Sequence, residues 1–304
     1  MSPIAPSIGA PSIGPGWASA KINLALHVVG QRHDLYHLLE SLVVFTRFGD
    51  RVTVRRAEPD EFAVTGPYAS AVPVDAGNLV CRARDALRGA LPEGTGFPVS
   101  IALEKNLPPA SGIGGGSSDA AATLKGLAQL WGVEDGALLA KLGLPLGADV
   151  PMCLSSRPAL VSGIGEKIER LPDFPPLFIV LVNPGVEVST PAVFSRLRMK
   201  TNPALERPIP GSREALYAWL GETRNDLQVP AVELAAVIGE ALEALRSTRA
   251  RFLRMSGSGA TCFGLYDTSH EAEAAAAEIS RARPDWFAVA TETFAASGGH
   301  HAGN

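Results

Sequence analysis

The residues of this chain whose types and spacing point most directly to chemistry form a glycine-rich loop, GIGGGSS, at 112–118. Glycine lets the backbone adopt left-handed φ angles and approach a ligand closely. Successive backbone N–H groups that converge ahead of a helix N-terminus form an anion site, for which phosphate is the natural ligand. A flexible surface loop is the plainer interpretation, but prolines, a predicted strand and a predicted helix bound this one. We therefore predict a phosphate-binding loop.

A predicted amphipathic helix follows the loop directly. Apolar residues from Ala120 to Trp131 recur at the spacing of one helix face. Ser117, Ser118 and Asp119 precede them and are residue types that cap helix N-termini. The two hydroxyls also stand where a phosphate oxygen or Mg²⁺ would be met. The segment is not the common P-loop, because GxxxxGK[ST] is absent, and Ser117 replaces the last glycine of a GxGxxG dinucleotide fingerprint.

Three further polar residues stand in strand-like or turn-like segments. Lys21 and Asn23 interrupt the alternating apolar pattern of ASAKINLALHVVG, and the period of two puts both on one strand face. Lys21 is either an edge-strand charge or a placed cation, and the residue types alone leave these alternatives open. Asp149, in GADVP, is interpreted from the residues alone as a turn or cap aspartate.

Composition excludes several classes of protein. The chain has 304 residues and a net charge of −4, so its overall charge does not draw it to nucleic acid or acidic membranes. Three cysteines without a CxxC pair argue against a disulfide framework or a zinc site and favour a reducing cytoplasm. No apolar run reaches the ~18–20 residues of a membrane helix. We predict a cytoplasmic protein with no membrane or nucleic-acid partner, and either a monomer or a dimer.

The loop sequence PPASGIGGGSSDAA resembles the phosphate loop of the GHMP kinases. Further segments are similar to the branch of that superfamily that acts on a cytidyl diphosphate substrate. These segments are ASAKINLALHVVG, DLYH, LGADVPMCL, SGIGEKI, NPGVEVSTPAVF, RNDLQVPA and RMSGSGATCFG. The resemblance runs in order from about Ala18 to Phe294. It departs at Leu35, where the family usually has a glycine before the Tyr-His pair.

The resemblance implies an α+β GHMP-kinase fold of two domains with a deep cleft between them. It implies an ATP-binding N-terminal domain over 17–165 and a C-terminal substrate domain over 166–296. From composition, the Pro/Gly-rich arm 1–16 and the tail 297–304 are predicted to be disordered. The implied activity is ATP-dependent phosphorylation of the 2-hydroxyl in the methylerythritol part of a small cytidyl diphosphate. That reaction belongs to the non-mevalonate isoprenoid precursor pathway, and Mg²⁺ is expected with its ligands unassigned.

The resemblance also assigns the catalytic and ATP-binding residues. It makes Asp149 the catalytic base and pairs Lys21 with it, so that the lysine neutralises the γ-phosphate or the developing alkoxide. It places Asn78 and Lys105 near the adenine. The remaining ATP-binding residues are those of the loop: Pro109, Ala110, Ser111, Gly112, Ile113, Gly114, Gly115, Gly116, Ser117 and Ser118.

The implied substrate residues combine rings that stack on a base with polar groups that read it. Tyr36 and Phe194 would stack on cytosine, and His37 would read its polar edge. Without the resemblance, Tyr36 and His37 would be interpreted as a partly buried aromatic residue and a satisfied histidine. The resemblance also implies that the amide of Asn23 holds the acceptor hydroxyl. Ile164 and Thr190 would line the substrate pocket. The full set is Asn23, Tyr36, His37, Ile164, Thr190 and Phe194.

Two alternative functions remain at this level. One is another small-molecule GHMP kinase, such as a homoserine or mevalonate kinase. Tyr36, His37 and Phe194 argue against it, because those substrates carry no base on which a ring could stack. The other is a non-catalytic protein that binds ATP, against which the presence of both Lys21 and Asp149 argues.

Overall fold

The structure, a computed structural model, describes residues 12–207 and 212–295. In this part of the chain there are ten β-strands and nine α-helices. The strands are β1 (Ser12–Gln31), β2 (His37–Arg56), β3 (Glu61–Thr65), β4 (Val99–Glu104), β5 (Ala159–Gly163), β6 (Lys167–Arg170), β7 (Phe178–Asn183), β8 (Phe252–Met255), β9 (Cys262–Tyr266) and β10 (Phe287–Glu292). The helices are α1 (Leu79–Gly89), α2 (Gly115–Trp131), α3 (Gly136–Gly143), α4 (Val150–Ser155), α5 (Thr190–Ser195), α6 (Arg213–Gly221), α7 (Gln228–Leu234), α8 (Val237–Ser247) and α9 (Ser269–Ala282).

The chain forms two units, each assembled from separate segments. Unit 1 comprises 12–18, 49–107 and 116–154, and unit 2 comprises 19–48, 108–115, 155–207 and 212–295. The sequence instead predicts two contiguous domains, 17–165 and 166–296. The difference arises from β1 and β2, which are 20 residues long each and run through both units. At ~3.3 Å per residue such a strand spans roughly 66 Å, more than a small domain needs.

Strand β1 begins within the segment predicted to be a disordered arm. The structure starts the strand at Ser12, so residues 12–16 belong to β1, the strand that pairs with β2. The guanidinium of Arg51 on β2 also lies over the ring of Trp17, 4.6 Å from its centroid. Pairing with β2 supplies the backbone partners that a Pro/Gly-rich composition does not predict. The rest of the predicted arm, 1–11, and the predicted tail, 297–304, lie outside the described residues.

Unit 1 is built on the second half of β2. That half pairs antiparallel with β4, from Arg51 opposite Glu104 to Arg56 opposite Val99, and β3 adds parallel to β4. Helix α2 is buried along most of its length, which explains why small and apolar residues dominate it. The end of β4 at Glu104 and the start of α2 at Gly115 bound the glycine loop in the sequence.

Unit 2 contains the first half of β2 and a separate antiparallel sheet. In the first sheet, β2 pairs with β5 and β5 with β6. In the second, the strand order is β10-β7-β9-β8, and residues of α8 and α9 join those of β7 and β9 in one hydrophobic core. Helix α9 begins with a capping box, in which Thr268 and Glu271 satisfy each other's backbone N–H groups.

A tight turn at 32–36 connects β1 to β2. The Arg32 N–H donates to the carbonyl of Tyr36 (2.8 Å), and the Leu35 N–H donates to the carbonyl of Arg32 (3.0 Å). Leu35 adopts a φ of +69°, the left-handed region that favours glycine. This is the position at which the sequence departs from the family glycine. The turn therefore keeps the glycine conformation although a leucine occupies it.

We expect Leu35→Gly to leave the free energy of unfolding unchanged or to raise it by up to ~1 kcal/mol. A left-handed φ costs an L-residue about 1–2 kcal/mol, which slightly exceeds the entropy cost of glycine. The leucine side chain is 73% exposed, so little burial is lost. Leu35→Val should lower the free energy of unfolding by about 1 kcal/mol, because β-branched residues fit this region worst. Urea titrations measure both changes.

Leu144 provides the matched control. It is also exposed (50%) but has an ordinary helical φ of −58°. Leu144→Gly should therefore lose about 0.5–1 kcal/mol. An equal loss for Leu35→Gly and Leu144→Gly would contradict this account of the turn.

Candidate functional site

Lys21 lies in the middle of β1 and contacts the glycine loop within unit 2. Its side chain is buried, and its backbone N–H donates to the carbonyl of Ile113 (2.8 Å). A Cβ on Gly114 would lie 3.2 Å from the Lys21 Cβ. The predicted cation is thus held by the backbone against the loop that is predicted to bind phosphate.

Gly112 is the position in the loop where no other residue fits. Its φ is +75°, and a Cβ there would lie 2.6 Å from the Gly259 carbonyl oxygen and 2.9 Å from that of Ser256. The hydroxyl of Ser256 donates to the Gly112 carbonyl (3.3 Å). The RMSGSG segment, which the resemblance singles out, therefore supports the start of the loop inside unit 2.

Several predicted ATP-binding residues of the loop use their side chains internally. The Ile113 side chain is fully buried. The Ser111 hydroxyl donates to the carbonyl of Pro108 (2.6 Å). Ala110 is exposed, and Pro109 is half-buried. For Ser111 and Ile113, a contribution to anion binding would therefore come from the backbone.

Helix α2 begins at Gly115, earlier than the capping residues in the sequence suggest. Gly116 is exposed and Ser117 is half-buried, whereas Ser118 is buried within the first turn. A Cβ on Gly147 would lie 3.4 Å from the Ser117 hydroxyl oxygen. In unit 1, the first turn of α2 and the GADVP segment are therefore close together.

Asp149 lies in the turn that leads into α4. It is half-buried, and its carbonyl accepts the N–H of Cys153 (3.1 Å) as in the first turn of a helix. A carboxylate at a helix N-terminus is stabilised by the helix dipole. The position thus fits the turn or cap interpretation, and the role of Asp149 as a base stays a prediction.

Lys105 lies in a buried ion cluster of unit 1. Its ammonium donates to Asp50 Oδ2 (2.5 Å) and to Asp119 Oδ2 (2.7 Å). The other oxygen of Asp50, Oδ1, accepts the backbone N–H groups of Asn106 (2.6 Å) and Leu107 (2.8 Å). The sequence predicts that Asp119 caps the helix. In the structure it belongs instead to this cluster. The Lys105 ammonium is paired with the two carboxyls. Its position near the adenine stays a prediction.

The charges in this cluster do not balance if both carboxyls are ionised. Burial raises the pKa of Asp119 to about 8, with the Asp50 charge adding to the effect and Lys105 opposing it. Burial acts to lower the pKa of Lys105, but the two carboxyls outweigh it and the pKa is raised. Burial therefore favours the protonated form of Asp119, and the two carboxyls favour the charged form of Lys105.

Asn78 caps helix α1. Its Oδ1 accepts the N–H of Val80 (2.9 Å), and its NH₂ group donates to the carbonyl of Pro73 (2.7 Å). Both ends of the amide are thus used within unit 1. The contact of Asn78 with adenine that the resemblance implies likewise stays a prediction.

His37 and Phe194 are stacked in unit 2. Their ring centroids lie 4.7 Å apart, with an angle of 24° between the planes. The Nε2 atom of His37 is buried and has no hydrogen-bond partner within the described ranges. Burial, with a smaller contribution from the charge of Lys200, lowers the pKa of His37. The site presents a neutral imidazole with a vacant hydrogen-bonding position beside an aromatic face.

The other predicted substrate residues lie nearby in the chain or on paired strands. Tyr36 is next to His37 and is 63% exposed. The β2–β5 pairing ends with Leu39 opposite Gly163, so Ile164 follows beside the start of β2. Thr190 begins α5, the helix that carries Phe194, and its hydroxyl lies 2.7 Å from that of Ser258.

Asn23 is buried in unit 2 and is held at two points. Its backbone N–H donates to the Ser256 hydroxyl (3.0 Å), and its NH₂ group donates to the Ser41 hydroxyl (2.7 Å). The remaining atom, Oδ1, has no hydrogen-bond partner in the part of the chain that the structure describes. No pattern in the sequence points to Ser41, because one serine beside the apolar run LVVF has no distinctive spacing. Nor does any pattern point to Asp50.

Two classes of feature are absent from the described ranges. No helix there is long and apolar enough to span a membrane. No group of three or more His, Cys, Asp and Glu side chains there is arranged to hold a metal ion.

Comparisons with known proteins show the family of this chain. The model of the GHMP kinases N terminal domain matches residues 78–157, and that of the GHMP kinases C terminal domain matches 202–285. The chain belongs to the GHMP kinase family. Its α+β fold and its class, an ATP-dependent kinase, are thereby confirmed.

Within the family, a curated relative and a solved structure that resemble this chain closely carry the same enzyme name. The chain is 57% identical over 279 residues to a protein of Mesorhizobium japonicum named 4-diphosphocytidyl-2-C-methyl-D-erythritol kinase, covering 91% of this chain and 94% of that one. A crystal structure of 4-(cytidine 5'-diphospho)-2C-methyl-D-erythritol kinase has a TM-score of 0.77 and 35% identity, covering 92% of this chain and 99% of that one. A homoserine kinase from Cytophaga hutchinsonii has a TM-score of 0.62 at 17% identity, covering 97% and 98%. The last likeness shows the fold alone.

The buried cluster predicts how stability depends on pH. The folded protein binds a proton at Asp119 between pH ~4 and about 8, and the unfolded chain does not. The free energy of unfolding therefore falls by about 1.4 kcal/mol for each unit of pH gained in that window. Asp119→Asn removes this proton, so its stability relative to the native protein should improve between about pH 6 and about pH 8, by on the order of 2 kcal/mol. Urea titrations across the window measure the difference.

Asp173→Asn is the matched control, because Asp173 is exposed. Its stability relative to the native protein should stay constant over the same range of pH. Parallel curves for Asp119→Asn and the native protein would show that Asp119 is ionised in the folded state.

Proposed function

We propose that this kinase transfers the γ-phosphoryl group of ATP to the 2-hydroxyl of 4-diphosphocytidyl-2-C-methyl-D-erythritol, in the methylerythritol phosphate route to isoprenoid precursors. The observation that carries the proposal is the unpartnered Nε2 of His37 beside the ring of Phe194. That pair suits a substrate with a π face and a polar edge. Homoserine and mevalonate have neither, and the names of the relatives above support the same substrate.

The base is read by a neutral histidine. Because the pKa of His37 is lowered, the imidazole offers one donor and one acceptor nitrogen at neutral pH. Cytosine presents an amino donor next to acceptor atoms, so a vacant Nε2 has a partner on this edge whichever tautomer it adopts. The exposed ring of Tyr36 and the ring of Phe194 supply the two stacking faces.

Phosphoryl transfer depends mainly on position and charge. The backbone of the loop would hold the phosphates, and the Lys21 ammonium would neutralise charge that develops on the γ-phosphoryl group. Mg²⁺, when bound to the nucleotide, supplies further positive charge at the phosphates. Mg²⁺ sites of this kind need only one or two protein oxygens, and the half-buried Ser117 hydroxyl near the GADVP segment suits such a ligand.

Asp149 would accept the proton of the attacking hydroxyl. A carboxylate within hydrogen-bond reach of the acceptor hydroxyl can act as its base. The γ-phosphoryl group would pass directly to the substrate in an in-line displacement, so no phospho-enzyme would form. Asn23, Ile164 and Thr190 would contact the methylerythritol part.

A coupled assay of ADP release tests the substrate and the base together. The native protein should turn over the cytidyl substrate, and neither homoserine nor mevalonate. Asp149→Asn should lower kcat by about 10²–10⁴-fold with both KM values nearly unchanged, because only the proton acceptor is lost. Asp173→Asn, which changes an exposed carboxylate, should be fully active. Turnover of homoserine or mevalonate alone would overturn the substrate, and a fully active Asp149→Asn would overturn the base.

The two stacking residues should affect the cytidyl substrate and spare ATP. Tyr36→Ala and Phe194→Ala should each raise KM for the cytidyl substrate by about 5–150-fold, since stacking contributes about 1–3 kcal/mol per base. Phe194→Leu is a control for packing, because Phe194 also packs against the core of unit 2. Phe194→Leu keeps apolar volume but lacks the ring, so it should show most of the rise in KM for the cytidyl substrate. A rise confined to KM for ATP would refute the role.

A further inference from the structure

The amide of Asn23 has two chemically opposite ends, and a neighbouring serine decides which end is free. The Ser41 hydroxyl donates to the carbonyl of Ala25 (2.6 Å). A hydroxyl has one proton, so towards Asn23 the Ser41 oxygen acts only as an acceptor. The NH₂ group of Asn23 donates to it at 2.7 Å. If the amide were reversed, two acceptors would face each other.

The consequence is a buried acceptor atom with nothing to accept. Asn23 and Ser41 are both buried, and Oδ1 of Asn23 has no hydrogen-bond partner among residues 12–207 and 212–295. A carbonyl oxygen that is buried without a donor is rare and costs stability. A donor on a ligand would remove that cost.

The backbone of Asn23 holds this acceptor beside the phosphate loop. The Asn23 N–H donates to Ser256, whose hydroxyl in turn donates to the carbonyl of Gly112. A Cβ on Gly257 would lie 3.4 Å from Oδ1, so the atom faces the RMSGSG turn that supports the loop. The main chain is fixed in this way, and the bond to Ser41 holds the side chain and sets the orientation of its amide.

We propose that Ser41 is a positioning residue that presents the Oδ1 acceptor of Asn23, and not its NH₂ group, to a hydroxyl of the substrate. The proposal rests on the proposed function. The reacting hydroxyl gives its only proton to the base, so the donor to Oδ1 is a hydroxyl next to it on the polyol. Ser41 thereby selects substrates that carry a second hydroxyl at that place.

Two variants of equal shape separate the hydroxyl of Ser41 from its volume. Ser41→Thr keeps the hydroxyl, and Ser41→Val replaces it with a methyl group. Without the serine oxygen, both orientations of the amide become available. In the reversed orientation the NH₂ group faces the donor hydroxyl of the substrate, and two donors cannot form a hydrogen bond. Ser41→Val should therefore raise KM for the cytidyl substrate about tenfold over Ser41→Thr, with KM for ATP equal in both. Ser41→Thr should stay within a few-fold of the native KM.

A substrate analogue that lacks the neighbouring hydroxyl provides a readout that a purely structural role would not move. The native protein and Ser41→Thr should prefer the full substrate over this deoxy analogue by at least tenfold in kcat/KM. Ser41→Val should lose most of that preference, and thermal melting should show both variants folded. Ser41→Ala repeats the test without added volume if valine or threonine disturbs the core.

The outcomes distinguish this proposal from the proposed function. Equal KM values for Ser41→Thr and Ser41→Val, or equal preference for the full substrate, would overturn the role of Ser41 while the kinase activity stands. A parallel rise of both KM values would show a structural role and also overturn it. Absence of native turnover with the cytidyl substrate would overturn the proposed function, and the role of Ser41 with it.

Discussion

Unit 1 depends on a buried carboxylate, that of Asp50, which no local pattern in the sequence marks. One of its oxygens accepts two consecutive backbone N–H groups just after β4, and the other meets the Lys105 ammonium. Through Lys105 the same interaction reaches Asp119 in the first turn of α2. The segment that leaves β4 and the first turn of α2 are thus joined by one charged contact.

In unit 2, two polar atoms of the predicted substrate residues are buried without a partner within the described ranges: Oδ1 of Asn23 and Nε2 of His37. Folding alone gives no reason to bury an acceptor or a ring nitrogen in this way. A site that binds a polyol and a base needs such atoms, because a protein group that is already satisfied has little to gain from a ligand. These two atoms lower the stability of the free protein and leave it with groups that a ligand can satisfy.

Short patterns in the sequence predict β1 and the helix that follows the glycine loop, and the structure contains both. The phosphate role of Lys21 and the interest of position 35 come instead from the resemblance, and the left-handed φ of Leu35 is a finding of the structure. Partnerships across long separations did not follow. The residue types of SSDAA predict that Asp119 caps α2, because nothing in that segment shows that Lys105 and Asp50 lie beside it in the fold. For a related reason, period-two alternation identifies β1 and β2 as strands but does not show that they continue through two units.

The discontinuous course of the chain also constrains how this protein can change over evolutionary time. Each unit is drawn from several separate stretches, and two long strands belong to both. Neither half can be excised at a single linker, duplicated as one gene segment or exchanged with a relative by one crossover. A local substitution that keeps the backbone conformation, such as the leucine at position 35 with its φ of +69°, is compatible with such a course of the chain.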